Sequence, residues 1–373
     1  MNLNNSRNEE MGYPQPISQP FSGPVFVIGV WRSGTSLLYA LLNKHPQLGL
    51  FYEGDLLLLR PMFYLGRTRK NWLEKWEYWN AGVSRHGLDS FRPSTTIGSL
   101  ASAAESAGRE YCTKKGATVW GCKSPSYYNR LLTLARDFPT ARFLVIWRDP
   151  EEICQSIIKA AASSRWFASS GMMCRALLAC EMLKKQCDTL VSRRIPLHQI
   201  HYNQLVEDTE PTMRRICEFL DLPFVSAVTT LDGADRGAVF KGAHHSLVNG
   251  TQIISSRNEK QELPAELKTK IGRYTALWKD KFGEDWLLCR YLSHVPEKPP
   301  GKWEMARDRI LFWLLRIKDA ASTLAYSLLP LRLWRLYRGI KYRNPDFIQH
   351  HNRGAIDQPR AKKTQSYVAK QGT

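Results

Sequence analysis

The chain has 373 residues, with 53 Lys and Arg against 34 Asp and Glu and a formal net charge of +19. Hydrophobic residues at 43% and aromatics at 11% supply a well-buried core, which excludes a largely disordered chain. The charge is uneven: sixteen basic and only six acidic residues lie between Pro296 and Thr373, which favours nucleotides, sulfated or phosphorylated substrates, or an acidic membrane surface as partners.

Residues 1–22 are polar and rich in Pro, Ser and Asn. They predict a flexible leader and lack the apolar core of a signal peptide, so export by that route is not expected. Val25-Phe26-Val27-Ile28 reads as a buried strand, Gly29 and Gly34 frame a tight turn, and a helix opens at Ser36 and runs through Leu42. A glycine-bounded strand-to-helix turn presents backbone N–H groups and the positive end of the helix, which is how proteins hold phosphate. The spacing approaches G-x-x-x-x-G-K-[ST], but Thr35 stands at the lysine position and the nearest cation is Arg32. In triphosphate loops that lysine reaches the β and γ phosphates beside magnesium. Its displacement suits a nucleotide carrying a different 5′ phosphate-linked group.

Further along, 48–52 predicts a short strand, and Trp72, Trp76 and Trp79 recur at helical spacing, a pattern of core packing. A strand over 117–122 leads into Lys123-Ser124-Pro125, and 141–147 is the clearest of the later strands. After Arg148 a helix starts, with Asp149 as its cap, Pro150 in the first turn and Glu152 three residues after the cap. A last strand covers 197–202. This alternation predicts an α/β domain over 23–295, a P-loop-like doubly wound parallel sheet flanked by helices. Residues 296–343 form a C-terminal basic amphipathic helical extension, and 344–373 read as a disordered tail. The longest charge-free run in the extension, Ala320 to Leu331, is twelve residues, short of the roughly 20 that span a bilayer. Residues 307–343 therefore admit two readings: a helical pair packed on the body, or an amphipathic segment lying on an anionic membrane surface. The eight cysteines form no C-x-x-C pair and read as buried free thiols of a reducing compartment.

Ligands of doubly wound sheets bind beyond the carboxyl ends of the strands. Arg32, Glu53, Lys123, Arg148 and Tyr202 all fall at such predicted ends. Three cations with one carboxylate beside a phosphate-type loop are hard to assemble by accident.

On these residues the chain resembles the sulfotransferases that use 3′-phosphoadenosine 5′-phosphosulfate, most of all the branch of tyrosylprotein and carbohydrate sulfotransferases. The resemblance covers about 24–290. Arg32-Ser33-Gly34-Thr35-Ser36 matches the loop that binds the 5′-phosphosulfate, and Arg148 with Ser156 matches the pair that binds the 3′-phosphate. His45-Pro46 followed by Glu53 keeps the family's spacing to its catalytic glutamate. Trp120-Gly121-Cys122-Lys123-Ser124-Pro125 resembles the segment whose lysine touches the transferred group, and Tyr202 opens a Tyr-x-x-Leu-Val match that helps fix the nucleotide. The region 244–257 matches a later nucleotide-binding loop loosely, with Arg257 as the candidate there.

The resemblance implies a co-substrate but no metal, since a sulfuryl group carries less charge than a phosphoryl group and side-chain cations suffice. Glu53 would be the general base, Arg32 and Lys123 would stabilise developing charge, and the Thr35 and Ser36 hydroxyls would hold the 5′-phosphate. The acceptor is a hydroxyl of a glycan, lipid or tyrosyl group. The basic tail tilts the expectation toward a glycan or lipid-linked acceptor at a cytoplasmic membrane face, with no nucleic acid among the partners. A P-loop-type small-molecule kinase is the rival reading; it requires a loop lysine and a magnesium-holding Asp. A catalytically dead scaffold would have lost Glu53 or Lys123, and both are present.

Overall fold

In the computed structural model the described residues are 21–53, 88, 100–162, 167–168, 171–234, 250–251, 253, 262–292 and 298–328. The Trp72, Trp76 and Trp79 stripe, Arg257 and the tail from 344 lie outside them. Five parallel strands form one sheet: β1 (Val25–Ile28), β2 (Leu48–Tyr52), β3 (Val119–Lys123), β4 (Arg142–Trp147) and β5 (Leu197–His201), in the order β2-β3-β1-β4-β5. The helices are α1 (Thr35–Leu42), α2 (Leu100–Lys115), α3 (Leu131–Asp137), α4 (Pro150–Ala161), α5 (Met172–Ser192), α6 (Tyr202–Glu207), α7 (Thr209–Phe219), α8 (Ala265–Phe282) and α9 (Lys302–Leu328).

Alternation along the strands divides the core in two. Val25 and Val27 of β1, with Leu144 and Ile146 of β4, pack on the side of α1, α6 and α7. Phe26 and Ile28, with Phe143, Val145 and Trp147, pack on the side of α2, α3, α4, α5 and α8. Sheets covered on both faces carry continuous apolar runs, which is why these strands stand out in the sequence. Several bounds differ from the predicted ones by one or two residues, and two of them have a visible cause. The 117–122 strand starts at Val119, because the Ala117 amide closes α2 on the Cys112 carbonyl at 2.8 Å. The 197–202 strand stops at His201, whose ring accepts the Asn203 amide at 3.2 Å while the Gln204 side chain accepts the His201 amide at 3.0 Å. That reciprocal cap turns Tyr202 into the first residue of α6.

The cysteines are all free thiols and all but Cys289 are buried. Burial pushes Cys112 up to about 11 and Cys154 up to about 12, so these thiols are packing residues rather than nucleophiles. No helix of the described residues is long and apolar enough to cross a membrane.

Candidate active site

Parallel register carries five strand ends to one edge. Tyr52 pairs with Lys123 across β2 and β3, and the Glu53 amide extends that ladder by donating to the Lys123 carbonyl at 2.7 Å. The two side chains close on each other: Lys123 Nζ lies 2.5 Å from Glu53 Oε1. The ammonium has no solvent exposure, whereas the Glu53 side chain is 22% exposed. A carboxylate thus stays within reach of solvent with a buried cation behind it. Burial is the largest influence on Lys123 and pulls its pKa down, but Glu53 and Tyr52 together outweigh it and leave it above the ordinary value. Lys123 also stands 3.9 Å over the Tyr52 ring, a cation–π contact. The Tyr52 hydroxyl shares a 2.9 Å hydrogen bond with Ser36 Oγ, and burial raises its pKa, with Lys123 opposing.

The loop after β1 is tight. The Ser33 amide donates to the Val30 carbonyl at 3.0 Å, Arg32 takes φ 69 and Gly34 φ 102. A Cβ on Gly34 would sit 2.5 Å from Tyr202 Cδ2, so this position requires glycine both for its backbone and for the ring across it. Helix α1 then begins without a side-chain cap and with no acid in its first turn, and the Ser33 hydroxyl is buried without a hydrogen-bond partner. An uncapped helix end and an orphaned loop hydroxyl fit an anionic group.

Arg32 and Arg148 are braced against each other. Arg32 Nε donates to Ser156 Oγ at 2.9 Å, and Arg148 Nη1 donates to the Arg32 carbonyl at 2.9 Å. Arg148 Nε donates to Glu152 at 2.9 Å, and its guanidinium stacks 4.2 Å from the Tyr202 ring centre. Burial, then the neighbouring Arg148 charge, lower Arg32 to about 10, which keeps it cationic at neutral pH. Among the described non-glycine residues only four have positive φ, and Arg32 and Glu53 are two of them. Each such residue costs about 1–3 kcal/mol, strain that concentrates where chemistry needs it.

The structure therefore brings together Arg32, Ser33, Gly34, Thr35, Ser36, Glu53, Lys123, Arg148, Ser156 and Tyr202 at the carboxyl edge. Ser156 meets Arg32 rather than Arg148. Asp149 caps α4 by accepting the Glu151 amide at 2.8 Å, whereas Glu152, predicted to turn back on that cap, holds Arg148. His45 is a turn residue: it accepts the Gln47 amide at 3.1 Å and contacts the Pro223 carbonyl at 2.8 Å. Sequence reasoning passed over Tyr52 and gave Glu152 a capping place only. Tyr52 was one residue from the predicted base, and Glu152 stood at i+4 from Arg148, the helical spacing of an ion pair.

The family model described as "Sulfotransferase family" matches residues 24–226. A protein-tyrosine sulfotransferase of Drosophila melanogaster is 31% identical over 211 residues, covering 55% of this chain and 39% of that protein. Protein-tyrosine sulfotransferase A of Caenorhabditis elegans is 28% identical over 243 residues, covering 63% and 56%. Protein-tyrosine sulfotransferase 1 of Danio rerio is 28% identical over 213 residues, covering 55% and 54%. The chain spans about half the length of these curated relatives or less.

Proposed function

The chain belongs to the sulfotransferase family, and we propose that it moves a sulfuryl group from 3′-phosphoadenosine 5′-phosphosulfate to an acceptor hydroxyl. The donor supplies the sulfuryl group. The acceptor oxygen bonds to sulfur, its proton passes to Glu53, and the sulfur–oxygen bond to the phosphate breaks, releasing adenosine 3′,5′-bisphosphate. The single observation carrying this reading is the Glu53–Lys123 pair, 2.5 Å apart at the mouth of the cleft. Lys123 holds the carboxylate in place from behind, so that its partly exposed side is presented to the acceptor proton. Arg32 and Lys123 offset charge gathering on the oxygens around sulfur, and the amides that open α1 add dipoles already in place. The Thr35 and Ser36 hydroxyls and Ser33 hold the 5′-phosphate. Arg148 reads the 3′-phosphate from its stack on Tyr202, a planar fork that lysine cannot imitate.

For the acceptor, the relatives' names favour a protein tyrosine over the glycan or lipid-linked hydroxyl toward which the basic tail tilts the sequence. A tyrosyl hydroxyl is the acceptor proposed first. The kinase alternative is not favoured: Thr35 occupies the lysine position, and Asp149 is engaged as a helix cap. The test is mass spectrometry of tyrosyl peptides, glycans and hydroxylated lipids after incubation with enzyme and donor. Gain of one sulfo group on the peptides supports the reading. Gain on a glycan or lipid alone moves the acceptor, and phosphorylation from ATP with magnesium would overturn sulfuryl transfer itself.

A further inference from the structure

Helix α9 divides its charges between two directions. Two of its acids turn to the body: Glu304 pairs with Arg273 at 2.8 Å, and buried Asp308 meets Lys270 at 2.5 Å and accepts from the Tyr274 hydroxyl at 3.0 Å. Phe312, 3% exposed, is the apolar anchor on that side. The outward side is the reverse of an ordinary solvated face. Trp303, Ile310, Trp313, Leu314 and Ile317 are 54–89% exposed. At 3.6 residues per turn these five fall within about 100° of arc, with Arg307 and Lys318 along one border and Lys302 and Arg309 along the other. All four cations are exposed, and no exposed residue from 302 to 318 is acidic. The cleft between α5 and α9, about 330 Å³, opens beside Trp313 and is lined in part by Arg309 and by one further cation, Lys185, with the buried Glu181 between them.

We propose that this face of α9 docks the enzyme on an anionic lipid bilayer, lying along it. The apolar stripe would enter the boundary between headgroups and acyl chains while the bordering cations extend their stems along it and meet lipid phosphates. Charge selects this occupant over a second copy of the chain: two such faces would set cation against cation with no exposed acid to relieve them. The docking stands apart from the acceptor chemistry, because none of its residues belongs to the site at the sheet edge.

The test uses the full chain in flotation with vesicles of phosphatidylcholine, with and without phosphatidylglycerol. Binding is expected only with phosphatidylglycerol and is expected to weaken as salt rises. Ile310→Ser with Ile317→Ser should weaken it roughly tenfold or more, and Arg307→Gln with Lys318→Gln by roughly tenfold. Both variants should keep the circular dichroism and the turnover of a soluble acceptor. Equal binding to neutral vesicles, or binding unchanged in the serine pair, overturns the proposal. So does an absence of vesicle binding accompanied by a dimer that the serine pair dissociates, which would make the occupant a second copy.

Discussion

The Glu53–Lys123 pair should respond asymmetrically to mutation. Glu53→Ala strips the counter-charge from an ammonium with no solvent exposure, whereas Lys123→Met leaves a carboxylate that water already reaches, at 22% exposure. Removing one partner of a buried pair costs about 3–5 kcal/mol, and the wet side of this pair puts Glu53→Ala near about 3 kcal/mol. Lys123→Met keeps the apolar length over the Tyr52 ring and should cost about 1 kcal/mol. The double variant, with no charge left to strand, should cost about 2 kcal/mol instead of the sum of about 4. Backbone strain cancels from the comparison, since φ 46 at position 53 burdens Glu and Ala alike. The pH dependence has a definite sign. The Lys123 pKa lies above its ordinary 10.5, so the pair's contribution is fully present below that value and is lost only as pH rises through the higher folded pKa. Without Glu53, burial dominates and the pKa falls. The Glu53→Ala deficit should therefore narrow as pH rises toward the ordinary lysine value and the stranded ammonium sheds its proton. Urea unfolding of the four proteins at several pH values measures all of this. Equal single costs, an additive double variant or a deficit flat with pH would refute the reasoning. In parallel, Glu53→Ala should abolish turnover yet retain affinity for adenosine 3′,5′-bisphosphate.

Three more outcomes are expected. Gly34→Ala drives a Cβ to 2.5 Å from Tyr202 at φ 102; it should lower the melting temperature and weaken adenosine 3′,5′-bisphosphate binding roughly tenfold or more, and calorimetry showing undiminished affinity would contradict it. Arg148→Lys should weaken that nucleotide roughly tenfold or more and weaken adenosine 5′-monophosphate, which has no 3′-phosphate to read, much less; equal losses would deny Arg148 its assigned partner. Tyr52→Phe keeps the ring but removes the hydroxyl shared with Ser36. It should cost about 1 kcal/mol of stability and slow turnover with little change in donor binding, and unaltered turnover would sink any tie between the loop and the base.

Much of the fold was legible because its decisive strands are apolar on both faces. Val25–Ile28 and Leu48–Tyr52 lie where the residues put them, and the glycines announced the turn from β1 into α1. The end of β5 was less readable because its cap is a histidine, His201, rather than the Ser, Thr, Asp or Asn that marks most helix starts. Of the candidate site, the position of Arg32, Glu53, Lys123, Arg148 and Tyr202 at strand ends was legible in the sequence. That of Tyr52 under Lys123 was not, because it depends on the β2–β3 register, which joins residues about seventy positions apart. The partnership of Ser156 with Arg32 was hidden for the same reason: it crosses from α4 to the β1 loop.

The hydrogen bond from Arg148 to the Arg32 carbonyl has a mechanical consequence. It fastens the strained peptide of one strand end to the guanidinium of another, so the two ends proposed to read the donor's anions are held in one frame instead of hinging separately. An enzyme built this way registers damage at either end as a loss of alignment at the other. Shortening the donor by one phosphate would then unsettle the grip on the phosphate that remains.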